Sequence, residues 1–533
     1  MPDGSSPLAP GTGAEPLRSI VILGGGTAGW MAAAALSKAW QHPNRPIVLI
    51  ESDDIGTVGV GEASVPSLRI FNRLLGIDVA DFIRECNGTF KLGIEFVGWG
   101  GVGRRYMHPF TGYGLNGNDE MFMPLWLKHA RLTSCEGKTC DLDEYNLSSL
   151  ASTVGCFSLD GPPLNHAYHF DATLYAQYLR RHAESRGVIR IEGKAAHIKR
   201  DDATGHILSV QLESGQVVSG DFFIDCSGFR ALLIGEALQT PYEDWSRWLP
   251  CDRAVATGCE TTGTLVPYTR STADAAGWRW RIPLQHRTGN GYVYASAWID
   301  DDAAERRLLE TLDGEASGPV RRLRFVTGRR RQAWVGNCLA LGLAAGFMEP
   351  LESTSIHLIQ SSILRLISLF PDKGFEPAEI AEFNRQTADE YDDIRDFLIT
   401  HYKLTERDDT PFWRHCRDMA VPDRVTDAIA LFQARGRLGK RPVHLFSPQS
   451  WLAVLVGQGG LPRGDDPLLE DVQPQALAHQ MRDLRETLGK LVDRMPRHED
   501  VLKGLCAPGR PAPPNPVRQV ISAPNAFGSP GGF

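Results

Sequence analysis

Val21-Ile22-Leu23-Gly24-Gly25-Gly26-Thr27-Ala28-Gly29 decides how this chain folds. The apolar run Ile20–Leu23 reads as a buried strand, and it enters a turn whose glycines Gly24, Gly26 and Gly29 keep G-x-G-x-x-G spacing. A small-residue helix follows over Trp30–Leu36, with alanines at 32–35. Gly24 permits the tight turn, Gly26 lets a pyrophosphate approach the backbone, and Gly29 lets helix and strand pack closely. The helix start offers free N–H groups and a positive dipole end to phosphate. A second apolar strand, Ile47–Ile50, ends in Glu51, where a βαβ fold places the acid that takes a ribose hydroxyl. A glycine-rich turn without a ligand is the alternative, but the strand–turn–helix context favours adenine-dinucleotide binding.

The chain has 533 residues, enough for two or three substructures, and a net charge of −8, which gives no reason to expect a nucleic-acid partner. The arginine runs Arg321–Arg322–Arg324 and Arg329–Arg330–Arg331 are short and read as solvated faces or a phosphate contact. Ten cysteines scatter without C-x-x-C spacing, so neither a zinc site nor a disulfide framework is indicated, and no metal is expected. Residues 1–17 lack the pattern of a signal peptide and read as a disordered lead. No apolar run reaches the roughly 18 residues of a membrane span, so a cytoplasmic setting without membrane contact is the expectation.

Past Glu51, the glycine-rich segment Ile55–Pro66 reads as a loop placed to strap over a bound cofactor. In Gly88–Trp99, Phe90, Leu92, Ile94 and Phe96 alternate with Lys91, Gly93 and Glu95, a half-buried strand that puts Lys91 on the solvent side. Residues 100–165 read as a loop-rich insertion with aromatic content. Asp171 reads as the N-cap of a helix running to about Glu184, with strands near 188–192, 195–199, 207–212 and 216–219. A buried strand then ends in Asp225-Cys226-Ser227-Gly228, which resembles the second cofactor contact of flavoprotein oxygenases. A contact returning so late in the chain favours FAD over NAD, whose domain would be compact.

Farther on, Trp278, Trp280 and Ile282 alternate with Arg279 and Arg281, so both indoles share one face of a strand, for which an ordinary aromatic core is the alternative. Asn337–His357 runs from an apolar strand through a glycine-rich turn and Glu349-Pro350 into a helix start near Glu352–Ser355, a ready anion site. Glu352 also reads as an ordinary N-terminal acid there. The remainder is helical. Ile380, Phe383, Ala388, Tyr391, Ile394 and Leu398 form a core-facing stripe, Trp451 follows, and a polar amphipathic helix spans Pro474–Val492. The expected fold class is α/β. It comprises an FAD-binding Rossmann-like core of flavoprotein monooxygenase type with a mixed sheet (18–355), a mainly helical substrate region (356–506), and a disordered tail (507–533).

With Thr89-Phe90-Lys91, Trp278-Arg279-Trp280-Arg281-Ile282-Pro283 and Pro350-Leu351-Glu352-Ser353-Thr354-Ser355 added to the glycine fingerprint and the strap Val58–Pro66, the chain resembles the flavin-dependent halogenases of the tryptophan halogenase family. The resemblance covers roughly residues 18–506. It implies FAD, used as FADH2 from a separate flavin reductase, held by Gly24, Gly25, Gly26, Thr27, Ala28, Gly29, Glu51, Gly61, Glu62, Ala195, Asp225, Gly228, Leu343 and Ile356. It implies a halide, chloride or bromide, at Thr354 and Ser355, oxidised to hypohalous acid that travels to a separate cavity. There Lys91 would present the halogen, Glu352 would polarise it or take the arene proton, and Ser353 would orient or relay. Trp278 and Trp280 resemble the pair that shields the flavin from the substrate, His108 and Phe110 resemble the family's ring-sandwiching positions, and Trp451 is expected to line the substrate cavity. No loop matches the one that grips free tryptophan, so the expected substrate is an indole or another electron-rich arene without the amino-acid handle. An FAD-dependent aromatic hydroxylase and a non-catalytic flavin-binding protein are the alternatives, and a homodimer is left open.

Overall fold

Ile20–Leu23 lies inside a six-stranded sheet of order Trp334–Val335, Cys338–Ala340, Phe222–Asp225, Ile20–Leu23, Ile47–Glu51, Ile189–Glu192. The pairs are parallel except the first, which is antiparallel. The computed structural model describes residues 15–42, 44–55, 62–115, 121–162, 164–439 and 445–507. A parallel sheet is covered on both faces and needs continuous apolar strands, and every residue of Ile20–Leu23 and Phe222–Asp225 is buried. The helix after the glycine turn spans Thr27–Ala39, three residues earlier than the pattern suggested, buries its alanines and packs against the helix Ala172–Glu184. Asp171 caps the latter, accepting from the N–H groups of Thr173 and Leu174.

A second sheet has seven strands, in the order Arg321–Arg324, Arg253–Cys259, Thr288–Tyr294, Gly277–Pro283, Thr269–Asp274, Gly93–Val97, Arg105–Pro109. It is antiparallel apart from the pair Thr269–Asp274 and Gly93–Val97. Three three-stranded sheets complete the strand content of the described residues, one of them built from Glu62–Ala63, Ala167–Phe170 and Thr89–Lys91. The C-terminal part is helical, with Pro377–Lys403, Pro448–Gly457, Pro474–Val492 and His498–Cys506 as its main elements. No helix among the described residues is long and apolar enough to cross a membrane.

One expectation is corrected. Gly88–Trp99 is not one half-buried strand: it breaks at Leu92, with Thr89–Lys91 in a small sheet and Gly93–Val97 in the large one. Lys91, Gly93 and Glu95 are all buried, because alternation marks a solvated face only where a sheet has one. Residues 100–165 are loop-rich and also carry regular elements that the sequence reading did not place. They supply the strand Arg105–Pro109 and the helices Phe122–Cys135 and Leu147–Val154, the latter capped by the Asn146 side chain on the Ser149 N–H. Half of the expected strap Ile55–Pro66, residues 56–61 with Gly61 among them, lies outside the described residues, as do most of the lead and the tail from residue 508.

Candidate active site

The glycine turn is shaped for a phosphate. A Cβ on Gly24 would fall 2.2 Å from the Cys226 carbonyl oxygen, and one on Gly29 would fall 1.9 Å from the Gly24 oxygen. One on Gly25 would meet the Glu51 carboxylate, whereas one on Gly26 would face open space with nothing within 4 Å. The helix therefore begins at a bare N-cap with room in front of it, and Thr27 and Ala28 form its first turn. Glu51 leans over this turn, its Oε1 accepting from Arg190 Nε at 2.6 Å and its Oε2 from Trp30 Nε1 at 3.2 Å. The Glu51 carbonyl accepts from the Gly193 N–H, which brings Ala195 nearby in sequence. These residues fit a dinucleotide.

Asp225 is fully buried, and its carboxylate accepts from the Ser227 N–H and hydroxyl and from the N–H groups of Leu233 and Ile234. It thereby folds the loop holding Gly228 back over the strand end. Gly342, in the short turn with Leu343, sits against Ala28 and faces Ile359 of the helix Ser355–Ser368, whose first turn carries Ile356. Glu62 pairs with Phe170 at the edge of the small sheet.

Replacing Gly29 with valine is expected to abolish FAD retention and to lower the melting temperature sharply, because the Gly24 backbone cannot swing aside. Gly26→Ala, which faces open space, should barely change melting of the flavin-free protein yet weaken FAD. Thermal melts with and without FAD separate the two effects.

The second cluster gathers on the turn Pro350–Ser353. Lys91 Nζ donates to Ser353 Oγ at 2.8 Å and to the Ser64 carbonyl at 3.1 Å, and it lies 5.1 Å from the Phe110 ring centroid. Burial pushes the amine down to about 7, a shift that Glu352 opposes. Ser353 holds φ +59, a left-handed conformation unusual for a non-glycine residue. Glu352 is clasped by two histidines. His108 Nδ1 donates to both carboxylate oxygens, at 2.8 and 3.0 Å, and His401 Nε2 makes an ion-pair contact of 2.8 Å with Oε1 rather than a well-aligned hydrogen bond. Burial opposes ionisation of Glu352, but the two histidines overcome it and hold the carboxyl down at about 2. The other His401 nitrogen, Nδ1, donates to the Phe397 carbonyl at 2.9 Å, which leaves Nε2 facing Glu352.

Thr354 follows at the bare N-cap of Ser355–Ser368, fully buried, with its Oγ1 unpartnered among the described residues. A free hydroxyl beside open helix N–H groups fits an anion such as halide. His108, Phe397, Phe446 and Trp451 form an aromatic wall. Phe397 stacks on Phe446 at 3.9 Å and meets Trp451 edge-on at 5.1 Å, and His108 approaches both phenylalanines. Trp278 and Trp280 share a face, 6.1 Å apart, and both are buried. Among the described residues no group of His, Cys, Asp or Glu is placed to hold a metal ion.

The structure thus brings Lys91, Ser353, Glu352, His108, Phe110 and Thr354 together. It adds His401, Phe397 and Phe446, which sequence reasoning missed. The available signal was the last turns of Pro377–Lys403, where every residue from Asp393 to Tyr402 is buried, with Phe397 and His401 one helical turn apart.

A nucleotide-shaped glycine turn and a separate buried lysine–carboxylate cluster define a flavoenzyme-like architecture with two chemical centres. Residues 19–474 match the tryptophan halogenase family model, and the chain belongs to that family. Tryptophan 7-halogenase RebH of Lentzea aerocolonigenes is 36% identical, the match covering 91% of this chain and 97% of that protein. Among solved structures, the flavin-dependent halogenase Xcc4156 of Xanthomonas campestris is 46% identical with a TM-score of 0.88, covering 94% of this chain and all of that one. The flavin-dependent halogenase BrvH of Brevundimonas sp. BAL3 is 43% identical with a TM-score of 0.87, covering 92% of this chain and 99% of that one.

Proposed function

We propose that the chain is an FADH2-dependent halogenase that oxidises chloride or bromide and places the halogen on an indole or comparable electron-rich arene. The observation that carries this reading is Lys91, an amine buried completely and held against the Ser353–Glu352 turn, with an aromatic wall beside it. FAD, held by the Gly24–Gly29 turn, would as FADH2 supply the two electrons that reduce O₂ to the peroxide level, the oxidant needed to convert halide to hypohalous acid. Thr354 Oγ1 and the first N–H groups of Ser355–Ser368 hold the halide. Trp278 and Trp280 keep the arene on the far side. Lys91 near neutral pH exists partly as free amine, so it can donate to the oxidant or take halogen on nitrogen. Glu352, ionised and braced by His108 and His401, takes the proton from the halogenated ring.

The substrate lacks an amino-acid head group on this reading. The helix Pro448–Gly457 that presents Trp451 carries no charged residue, and Phe446 closes the adjoining wall. A zwitterion placed against this helix and Phe446 would lose water without a counter-charge from either.

Incubation with FAD, a separate NADH-driven flavin reductase and indole, with and without chloride or bromide, tests the proposal by product mass spectrometry. Strictly halide-dependent halo-indole is expected, with free tryptophan a much poorer substrate. Hydroxylated indole without halide would support an aromatic hydroxylase instead, and no product under any halide a non-catalytic flavin carrier. Rapid reduction of bound FAD by NADH without the reductase would remove the need for a separate electron supply.

A further inference from the structure

Glu349 is fully buried three residues before Glu352, and no cation among the described residues pairs with it. Its Oε2 accepts two hydrogen bonds, from Trp278 Nε1 at 2.9 Å and from the Tyr402 hydroxyl at 2.5 Å, while Oε1 has no partner among the described residues. Cys251 Sγ lies 3.6 Å behind the Tyr402 hydroxyl. Because that hydroxyl donates to Glu349, the thiol is the donor to it. Trp99 and Trp413 pack their rings on Tyr402, and Trp99 also meets Trp278, so aromatic packing sets both donors.

A buried carboxyl without a charge partner is costly to keep, and burial pushes this one up to about 7. What it provides here is geometry. The indole N–H and the phenol O–H are buried donors; without this oxygen the indole would be orphaned and the phenol left with the Cys251 thiol alone. The segment Glu349–Ser353 is also strained at its far end, where Ser353 takes φ +59, so contacts at both ends must impose its shape. Lys91 grips the Ser353 end, the two histidines grip Glu352, and Glu349 grips the entry.

We propose that Glu349 is a positioning residue: through one carboxylate oxygen it ties the turn that carries Glu352 and Ser353 to the Trp278 indole and keeps the tryptophan barrier in register with the halogen-transfer group. The proposal rests on the halogenase reading, and halide-dependent product from the unaltered enzyme tests that reading separately. The full-length FAD-loaded enzyme is compared with Glu349→Gln, Glu349→Leu, Trp278→Phe and the double variant Glu349→Leu/Trp278→Phe. The readouts are halogenated indole per FADH2 oxidised, FAD affinity, and hypohalous acid intercepted by a 1,3-diketone trap.

Glu349→Gln keeps an acceptor oxygen and should stay within about twofold of the unaltered coupling. Glu349→Leu should lower coupling by about tenfold, the order expected from a small misplacement of reacting groups. Trapped oxidant should rise in step while FAD affinity holds. Trp278→Phe keeps a ring but loses the N–H, so its loss should resemble that of Glu349→Leu, and the double variant should be no worse than either. Unchanged coupling in Glu349→Leu, multiplicative losses in the double variant, or a Glu349→Gln as impaired as Glu349→Leu would each overturn the assignment. Unimpaired coupling in Trp278→Phe would overturn it whether or not Glu349→Leu folds.

Discussion

Lys91→Met is expected to abolish arene halogenation, to leave oxidation of FADH2 by O₂ running, and to make the fold more stable at neutral pH. The activity loss follows because Lys91 is the amine held against Ser353 and Phe110, and methionine fills a similar volume without a nitrogen. The glycine turn, built from other residues, is untouched. The stability gain follows from linkage. Burial lowers the folded-state value of the amine from 10.5 to about 7, so between those pH values the unfolded chain binds more protons than the folded one.

Stability of the unaltered protein therefore rises with pH across that window, and the full cost of burying Lys91 is felt below pH 7. Methionine removes that cost, worth a few kcal/mol, and forfeits the bonds to Ser353 and the Ser64 carbonyl at about 1 kcal/mol each. The melting-temperature advantage of the variant should be largest at pH 7 and below and should shrink toward pH 10.5. In the unaltered enzyme, halogen transfer in a single turnover should grow as pH rises through about 7 and frees the amine. Near-normal halogenation by Lys91→Met, or loss of flavin oxidation with it, would defeat the assigned role. Stopped-flow absorbance and product chromatography on the same samples give both readouts.

Glu352→Gln should cut halogenated product by about a hundredfold or more, the usual scale for removing a positioned base, again with flavin oxidation intact. The amide keeps the shape of the side chain but neither takes a proton nor balances His108 and His401. Its stability effect has the opposite sign to that of Lys91→Met. The Glu352 carboxyl is held at about 2 against an ordinary 4.5, so its ionised form stabilises the fold above pH 4.5 and loses that contribution as pH falls toward 2. Glu352→Gln should accordingly melt lower than the unaltered protein at neutral pH, and the gap should close in acid. Equal melting at pH 7, or product within a few-fold of normal, would contradict the geometry of the clasp.

What the sequence determined by itself is whatever neighbouring residues settle among themselves. The apolar run into Gly24–Gly29, the acid at the end of Ile47–Glu51, the Asp171 cap and the shared face of Trp278 and Trp280 depend on local backbone rules, and each is found in the structure. The side chains that complete the second centre were not legible in that way. Alternation placed Lys91 in solvent, and only the strand break at Leu92, with the Ser64 and Ser353 segments closing over it, buries the amine and lowers its proton affinity. His401 and Tyr402 read as ordinary helix positions until tertiary packing sets them against Glu352 and Glu349, about fifty residues earlier in the chain. Burial and long-range pairing set the charge state and reach of these groups, and both are properties of the packed chain that no local pattern encodes.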